Sequence, residues 1–344
     1  MRIAVWARSY PPEIGGVQTV AAVLANEWAA NGHEVSVITE TPAPPVETTA
    51  IPRVRKFDQA RTAATLQSAE GIVWHDPMLK EFPLLIRHRR RVLAIFHRRA
   101  QRDDGKRAPQ DVLKSCTGLV FRSVAVSRAL ARQYIGVSAV LPPPLDPEIE
   151  RVTAQRAGKA KTKDCLYLGR FVPGKGLETL LSAMALLRDQ GRSCQLVLAG
   201  DGPNLPALEA EVKRRGLQRE VSFGGAVSRA QVVPLLQTFK VVVMPSEHFE
   251  GFGLGAVEGL ACGCIPVVTT SGGLPEAVGS CGILVPPGQP GKLAAALLRA
   301  LDAPEVREHV AAHAPGHLAN LSVRTLAQRY LELIPSSRSA SGAP

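Results

Sequence analysis

Two carboxylates and two cations in the second half of the chain stand at spacings that could do chemistry. In Pro245-Ser246-Glu247-His248-Phe249-Glu250-Gly251-Phe252-Gly253-Leu254-Gly255-Ala256-Val257-Glu258, seven residues separate Glu250 from Glu258, and Ser271-Gly272-Gly273-Leu274-Pro275-Glu276 follows. An apolar strand ends, glycines turn and a helix begins, which aims backbone N–H groups and carboxylates at the carboxyl edge of a sheet, where α/β proteins bind nucleotides. If both glutamates were only exposed helix charges, the glycines around Glu250 would be costly and unexplained. Upstream, Leu168-Gly169-Arg170-Phe171-Val172-Pro173-Gly174-Lys175-Gly176 reads as a strand ending in a glycine-rich loop with two cations. That arrangement can clamp a diphosphate and offset the charge on a departing nucleoside diphosphate, a task other enzymes give to a metal ion. A solvated surface turn is the competing reading. Ala199-Gly200-Asp201-Gly202-Pro203 alone is compatible with a plain turn.

Short apolar runs alternating with amphipathic stretches must position these residues, the βαβ rhythm of parallel, doubly wound sheets. Arg2 to Ala7 reads as a first strand, Ser9 to Gly16 as its connection, Val17 to Ala30 as a helix and Glu34 to Thr39 as a second strand. Further strands are expected at Gly71 to Trp74, Val92 to Phe96, Gly118 to Phe121, Ser123 to Val126 and Ala139 to Leu141. Pro142-Pro143-Pro144 ends this half, and the polar, basic segment through Lys163 reads as a linker. A second set then starts. Its strands are Asp164 to Leu168, Gln195 to Ala199, Val221 to Phe223, Lys240 to Met244, Ile265 to Val268 and Gly282 to Val285. Its helices are Leu177 to Asp189, Pro206 to Arg215, Arg229 to Gln237, Leu254 to Ala261 and Gly291 to Leu301. Ser322 is the expected N-cap of a last amphipathic helix, and Pro335 to Pro344 a disordered tail.

At 344 residues the chain exceeds what one core usually serves. The expected division is 1–150, 151–321, and 322–344 as a helix crossing back to the first domain before the tail. The net charge of +11, from 41 Lys+Arg against 30 Asp+Glu, points to an anionic partner: nucleic acid, a phosphorylated substrate or a lipid surface. Arg87, Arg89, Arg90, Arg91, Arg98, Arg99, Arg102, Lys106 and Arg107 concentrate it. A charge run is most often a solvated face; contact with an anionic membrane or a phosphorylated acceptor is the second reading. Few stacking aromatics accompany the run, which argues against nucleic acid. Six scattered cysteines, including Cys262-x-Cys264, read as reduced thiols in a cytosol, so the protein is expected to be cytoplasmic, with peripheral contact to the inner face of a membrane as an option. No apolar run approaches the ~20 residues of a membrane span, and no metal site is expected.

In combination, Gly-Arg-x4-Lys-Gly, Ala-Gly-x-Gly-Pro, Glu-x2-Gly-x4-Glu-x2-Ala and Gly-Gly-x-Pro-Glu closely resemble the retaining glycosyltransferases of family 4. The resemblance covers the second half strongly. It covers the first half more loosely, through Pro11-Pro12-x2-Gly15-Gly16, Gly32-His33-Glu34-Val35 and Val126-Ser127. It implies an α/β, GT-B fold: two Rossmann-like doubly wound parallel-sheet domains facing a deep inter-domain cleft. It further implies that Arg170 and Lys175 bind the donor diphosphate, with Gly200 and Gly202 in the same donor-binding set. Glu258 would hydrogen-bond the ribose. Glu250 would sit beside the transferred sugar with the backbone of Gly251, Phe252, Gly253 and Leu254. Gly15 and Gly16 match a loop that closes over donor and acceptor, and His97 falls where the family often carries a histidine facing the sugar. His75 or Asp76, also at a strand end, are alternatives. The family's Pro-Asn-Gly is replaced here by Pro142-Pro143-Pro144.

The function implied is a metal-independent retaining transfer from a UDP-, GDP- or ADP-sugar, with no further cofactor, to a glycan, lipid-linked or small-molecule acceptor. In the family, departure and attack occur on one face with the leaving phosphate as base. The absence of any D-x-D disfavours a metal-held diphosphate. A GT-B-like epimerase or phosphorylase, or a binding subunit that has lost turnover, are the alternatives. Tyr10-Pro11-Pro12 in place of G-x-G-x-x-G makes a dinucleotide oxidoreductase the poorest of them.

Overall fold

The computed structural model describes residues 1–13, 15–42, 51–55, 58–100, 108–154 and 161–335. The described strands are β1 (Arg2–Ala7), β2 (Glu34–Thr39), β3 (Arg53–Arg55), β4 (Gly71–His75), β5 (Val92–Phe96), β6 (Arg122–Ala125), β7 (Ala139–Val140), β8 (Lys163–Leu168), β9 (Leu196–Ala199), β10 (Val221–Gly225), β11 (Phe239–Met244), β12 (Ile265–Thr269) and β13 (Ile283–Val285). Every recorded pairing between them is parallel. Parallel neighbours need a crossover, and helices such as Gly16–Ala30, Leu177–Asp189 and Leu254–Ala261 provide it. β4 and β5 are buried along their whole length, which is why they read as unbroken apolar runs and not as alternating ones.

The strands form two sheets, β3-β2-β1-β4-β5-β6-β7 and β10-β9-β8-β11-β12-β13. In each, the chain adds strands to one side of its first strand and then returns to add the rest to the other. The order therefore reverses between β1 and β4, and between β8 and β11, and loops at the carboxyl ends of such a strand pair splay apart to leave a crevice.

The chain divides into two compact units, Met1–Asp146 with Leu321–Pro344, and Pro147–Asn320. In the first, the helix Val323–Leu333 is anchored by Tyr330, whose buried hydroxyl donates to the Leu141 carbonyl at 2.8 Å, while Trp28 Nε1 donates to the Ala327 carbonyl at 2.9 Å. Trp74, Phe82 and Phe121 pack edge to face in the core of the same unit. The thiols of Cys165 and Cys194 lie 3.7 Å apart, unlinked, in the core of the second. Cys264 points its thiol at the carbonyls of Leu236 and Phe239, so the Cys262-x-Cys264 pair serves packing. Among the described residues no helix is long and apolar enough to cross a membrane.

Four expectations need correction. Gly118 to Phe121 is not a strand: Thr117–Val120 is a helical turn closed by the Phe121 N–H on the Thr117 carbonyl, and the strand beside β5 begins at Arg122. Periodicity does not separate a helical turn from a strand over four apolar residues. The segment read as a linker holds a helix, Pro147–Ala154, whose Ile149 is buried in the second unit; residues 155–160 lie outside the described residues. Ser322 stands at the N-cap position, but its side chain makes no capping bond. Finally, β3 and the helices Gln59–Ser68 and Pro304–Ala319 escaped the pattern reading, the last because its apolar residues give it almost no amphipathic face. Of the expected disordered tail, only Pro335 is among the described residues.

Candidate active site

In the second unit the strand-order reversal lies between β8 and β11, and the residues singled out from the sequence follow those two strands. The loop after β8 carries Arg170 and Lys175; the loop after β11 carries Glu250, Gly251 and Phe252. Backbone bonds lace them together. Gly174 offers its carbonyl to the N–H groups of Glu247, at 2.8 Å, and His248, at 3.0 Å. Gly176 has φ +70°, and a Cβ there would overlap the Pro245 carbonyl, so only glycine allows the approach. The loop after β12 joins through the Gly273 N–H on the Glu250 carbonyl at 2.8 Å, and through Ser271 Oγ on the His248 carbonyl at 2.6 Å. Thr269 Oγ1 donates to the Ser246 carbonyl at 2.6 Å.

Gly200 and Gly202, after β9, have a structural reason of their own. A Cβ on either would strike the backbone of Gly169 or Phe171, and the Phe171 N–H donates to the Asp201 carbonyl at 2.8 Å. They brace the Arg170 loop from below.

Lys175 Nζ donates to Glu250 Oε1, in a half-buried ion pair, and Ser246 Oγ donates to the same carboxylate oxygen at 2.7 Å. The carboxylate is thus held by a cation from one side of the crevice and a hydroxyl from its own strand end. Arg170 is exposed and makes no ion pair among the described residues. Its backbone carbonyl accepts from the Tyr167 hydroxyl at 2.9 Å. Burial, and then the nearby Glu250 charge, push the Tyr167 phenol up, so it stays protonated and keeps donating.

Gly253, in the left-handed region, is the N-cap of the helix Leu254–Ala261, with Phe252 buried just before it and no acidic side chain in the first turn. The N–H groups at this terminus carry partial positive charge with no anionic side chain of their own helix to neutralise it. Glu258, one turn in, is 6% exposed and pairs with Arg229 Nη1 at 2.6 Å. The structure thus brings Glu250 and Lys175 into contact and gives Glu258 a different cation.

In the first unit the reversal lies between β1 and β4. Gly15 is the N-cap of the helix Gly16–Ala30, and Tyr10, in the same loop, is buried with its N–H on Thr41 Oγ1 at 2.9 Å. β4 ends at His75 and β5 runs directly into His97. The register that sets His75 opposite Ile95 brings the two imidazoles together, His75 Nδ1 to His97 Nε2 at 2.9 Å, with ring planes 17° apart. Asp76, with φ 48°, turns back and accepts from the N–H groups of His97, at 2.9 Å, and Arg98, at 3.2 Å, and from Arg98 Nε at 2.6 Å. Burial drives the pKa of both histidines down, His97 to about 4, so both are neutral at pH 7. Burial alone would raise the Asp76 carboxyl; Arg98 and the His97 N–H outweigh it and hold the acid below its usual range. His97, His75 and Asp76 are therefore one cluster and not alternatives.

Parts of the expected basic stretch have internal tasks. Arg98 serves Asp76, and Arg91 Nη1 donates to the carbonyls of Ala69, at 2.6 Å, and Gln67, at 3.3 Å, closing the end of the helix Gln59–Ser68. Arg102, Lys106 and Arg107 lie outside the described residues. Sequence reading missed Ser246 and Arg229. Ser246 sits four residues before Glu250 at a strand end, a spacing that could have flagged it; nothing in the sequence around Arg229 pairs it with Glu258, 29 residues away.

Residues 149–317 match the family model "Glycosyl transferases group 1". The chain is 36% identical over 151 residues to the alpha-D-kanosaminyltransferase of Streptomyces kanamyceticus, an alignment covering 43% of this chain and 39% of that protein. It is 28% identical over 316 residues to the GDP-mannose-dependent alpha-(1-6)-phosphatidylinositol dimannoside mannosyltransferase of Mycobacterium tuberculosis, covering 81% and 82%. The chain spans less than half the length of the first curated relatives it matches. Among solved structures, Anabaena HepE in complex with UDP superposes with a TM-score of 0.78 at 20% identity, over 96% of this chain and 99% of that one. The fold is that of the GT-B glycosyltransferases, and residues 149–317 carry the group 1 signature.

Proposed function

We propose that the protein is a retaining glycosyltransferase that moves a sugar from a nucleotide-sugar donor to a glycan, lipid-linked or small-molecule acceptor without a metal ion. The observation that carries this reading is the crevice between β8 and β11, which gathers Arg170, Lys175, Glu250 and the open N-terminus of the helix Leu254–Ala261 on one sheet edge. Arg170 and Lys175 supply the positive charge that a departing nucleoside diphosphate needs, and the helix terminus adds backbone donors. Glu250 neutralises Lys175 while the site awaits its donor. When a diphosphate takes over Lys175, the carboxylate is released to hydrogen-bond the sugar. Glu258, fixed by Arg229, faces the ribose. Donor binding belongs to the second unit, and acceptor binding to the first, with Gly15, Gly16 and His97 as its contribution.

Thermal unfolding against UDP-, GDP-, ADP-, dTDP- and CMP-sugars tests this, because a ligand bound only by the native state raises its stability. The mycobacterial relative makes GDP-mannose and a lipid-linked acceptor the first pair to try. One nucleotide class is expected to raise the midpoint. Arg170→Ala and Lys175→Ala are expected to weaken that ligand by about 1.5–3 kcal/mol each, the scale of hydrogen bonds to charged groups. Glu250→Gln should chiefly lower kcat, by roughly 10²-fold if it acts on the transition state. Equal binding by wild type and both cation variants sinks the reading, as does an unchanged turnover in Glu250→Gln.

A further inference from the structure

His97 carries the first unit's polar side chain in the transfer reading, beside Gly15 and Gly16, yet one of its two ring nitrogens is taken. Its Nε2 faces His75 Nδ1 at 2.9 Å, inside a pair that is 8% and 2% exposed. Its Nδ1 makes no protein hydrogen bond among the described residues, so any bond that His97 gives a ligand leaves through that atom. Two neutral imidazoles sharing one hydrogen bond have two arrangements, because each ring carries one N–H. If His97 donates from Nε2, then His75 must carry its own proton on Nε2, and that atom is buried with no partner. A buried N–H without an acceptor is the rarer and costlier orphan. If His75 donates from Nδ1, its Nε2 keeps only a lone pair, and the proton on His97 moves to Nδ1.

We infer that His75 is a positioning residue: by donating from Nδ1 to His97 Nε2 it locks His97 as the Nδ1–H tautomer, presenting an N–H donor, and not a base, to an oxygen of the sugar or its acceptor. The inference rests on His97 facing the substrate. Several features hold the pair still. β4 and β5 run in register up to it, the Asp76 N–H donates to the Ile95 carbonyl at 2.9 Å, and the Asp76 carboxylate clamps the N–H groups of His97 and Arg98. Burial keeps both rings neutral at pH 7, so the arrangement persists where the enzyme would work. The chemical consequence is a division of labour. His97 can stabilise an oxygen that accumulates negative charge, while proton removal from the acceptor must fall to another group, such as the departing phosphate.

The test is nitrogen NMR of the full chain labelled at histidine, with His75→Phe and His97→Phe to assign the signals. At pH 7 both rings are expected to show a protonated Nδ1 and a bare Nε2; a proton on Nε2 of His97 overturns the inference, whatever the enzyme's activity. In His75→Phe, His97 is expected to lose its single tautomer and kcat to fall by about tenfold with KM for the donor little changed, the scale of one hydrogen bond. His75→Asn, whose amide N–H falls near the place of Nδ1, should restore the tautomer and most of kcat. If His75→Phe fails to fold, the wild-type spectrum and His75→Asn still decide. Full activity in His97→Ala would remove the transfer role of His97 on which the inference depends, and the spectrum would still separate that failure from a wrong tautomer.

Discussion

Neutral histidines buried beside a carboxylate leave a thermodynamic signature that needs no substrate. The folded-state pKa of His97 lies at about 4, below the 6.5 of an exposed imidazole, so between these values the unfolded chain binds a proton that the native protein does not. Stability is therefore full above about pH 6.5 and falls as the pH drops toward 4, by about 3 kcal/mol for a shift of this size. His75, shifted the same way, adds to the loss. Asp76 acts in a lower window: its carboxyl is held below the usual range, so its contribution survives until the pH falls below about 3.8. Lys114 and Tyr134 also feel the Asp76 charge: burial lowers the Lys114 ammonium, and burial and then Asp76 raise the Tyr134 phenol. Urea unfolding at pH 7, 5.5 and 4.5 is expected to show this slope in the wild type and a shallower one in His97→Gln; parallel slopes would contradict it. At this scale, the sequence made the residue types of the candidate site legible but not their partners. Glu250 and Glu258 stand eight positions apart, yet one is held by Lys175 and the other by Arg229.

Strand ends and the glycines after them carry the site, and the reason for those glycines changes once the elements are assembled. The resemblance assigned Gly200 and Gly202 to the donor; the structure has them pressed against the backbone of Gly169 and Phe171, holding the neighbouring loop. Gly176 and Gly191 make a controlled comparison. Both have φ near +70°, but a Cβ on Gly176 would overlap the Pro245 carbonyl, whereas nothing lies within 4 Å of one on Gly191. Gly191→Ala should cost only the left-handed backbone, about 1 kcal/mol. Gly176→Ala should cost at least about 1 kcal/mol more, because two loops must separate, and should weaken nucleotide binding as well. Denaturant midpoints of the two variants decide; equal losses would mean that the loop contact contributes nothing. The strands were legible because parallel, doubly buried strands are short unbroken apolar runs. The helix Pro304–Ala319 was not, because its buried residues are not gathered into one apolar stripe along its sequence.

At the scale of the whole molecule, the exposed large apolar side chains among the described residues are not spread evenly along the chain. Of the eight exposed large hydrophobics among the described residues, six fall between positions 112 and 140: Val112, Leu113, Leu119, Val120, Ile135 and Val140. Ile135 is tied to this surface by its N–H on the Ser115 carbonyl at 2.8 Å, and Gly136 packs on Gly118. Asp111 is the one carboxylate in residues 108–141, and it is buried in the cap of its helix. Arg122, Arg128 and Arg132 are exposed in the same segment. Within residues 108–141, exposed apolar side chains and exposed arginines thus share one stretch of chain that holds no exposed acid, a composition of the kind that favours an anionic lipid surface. The proposed lipid-linked acceptor gives such contact a purpose. Sedimentation with vesicles containing phosphatidylglycerol is expected to carry down the wild type at low salt, and several-fold less of Leu113→Glu combined with Leu119→Glu. Binding that ignores salt, lipid charge and these substitutions would leave the surface without this role.

The sequence by itself determined the parallel α/β architecture, the number of sheets and the loops that carry the candidate site. Apolar runs, helix periodicity and glycine turns are properties of neighbouring residues, and those are written in order. Tertiary structure alone decided which of those loops meet. Lys175 reaches Glu250 across 75 positions, and His75 reaches His97 across 22, because strand order and register bring their ends side by side. No local pattern encodes that register, since it is set by the burial of both sheet faces at once.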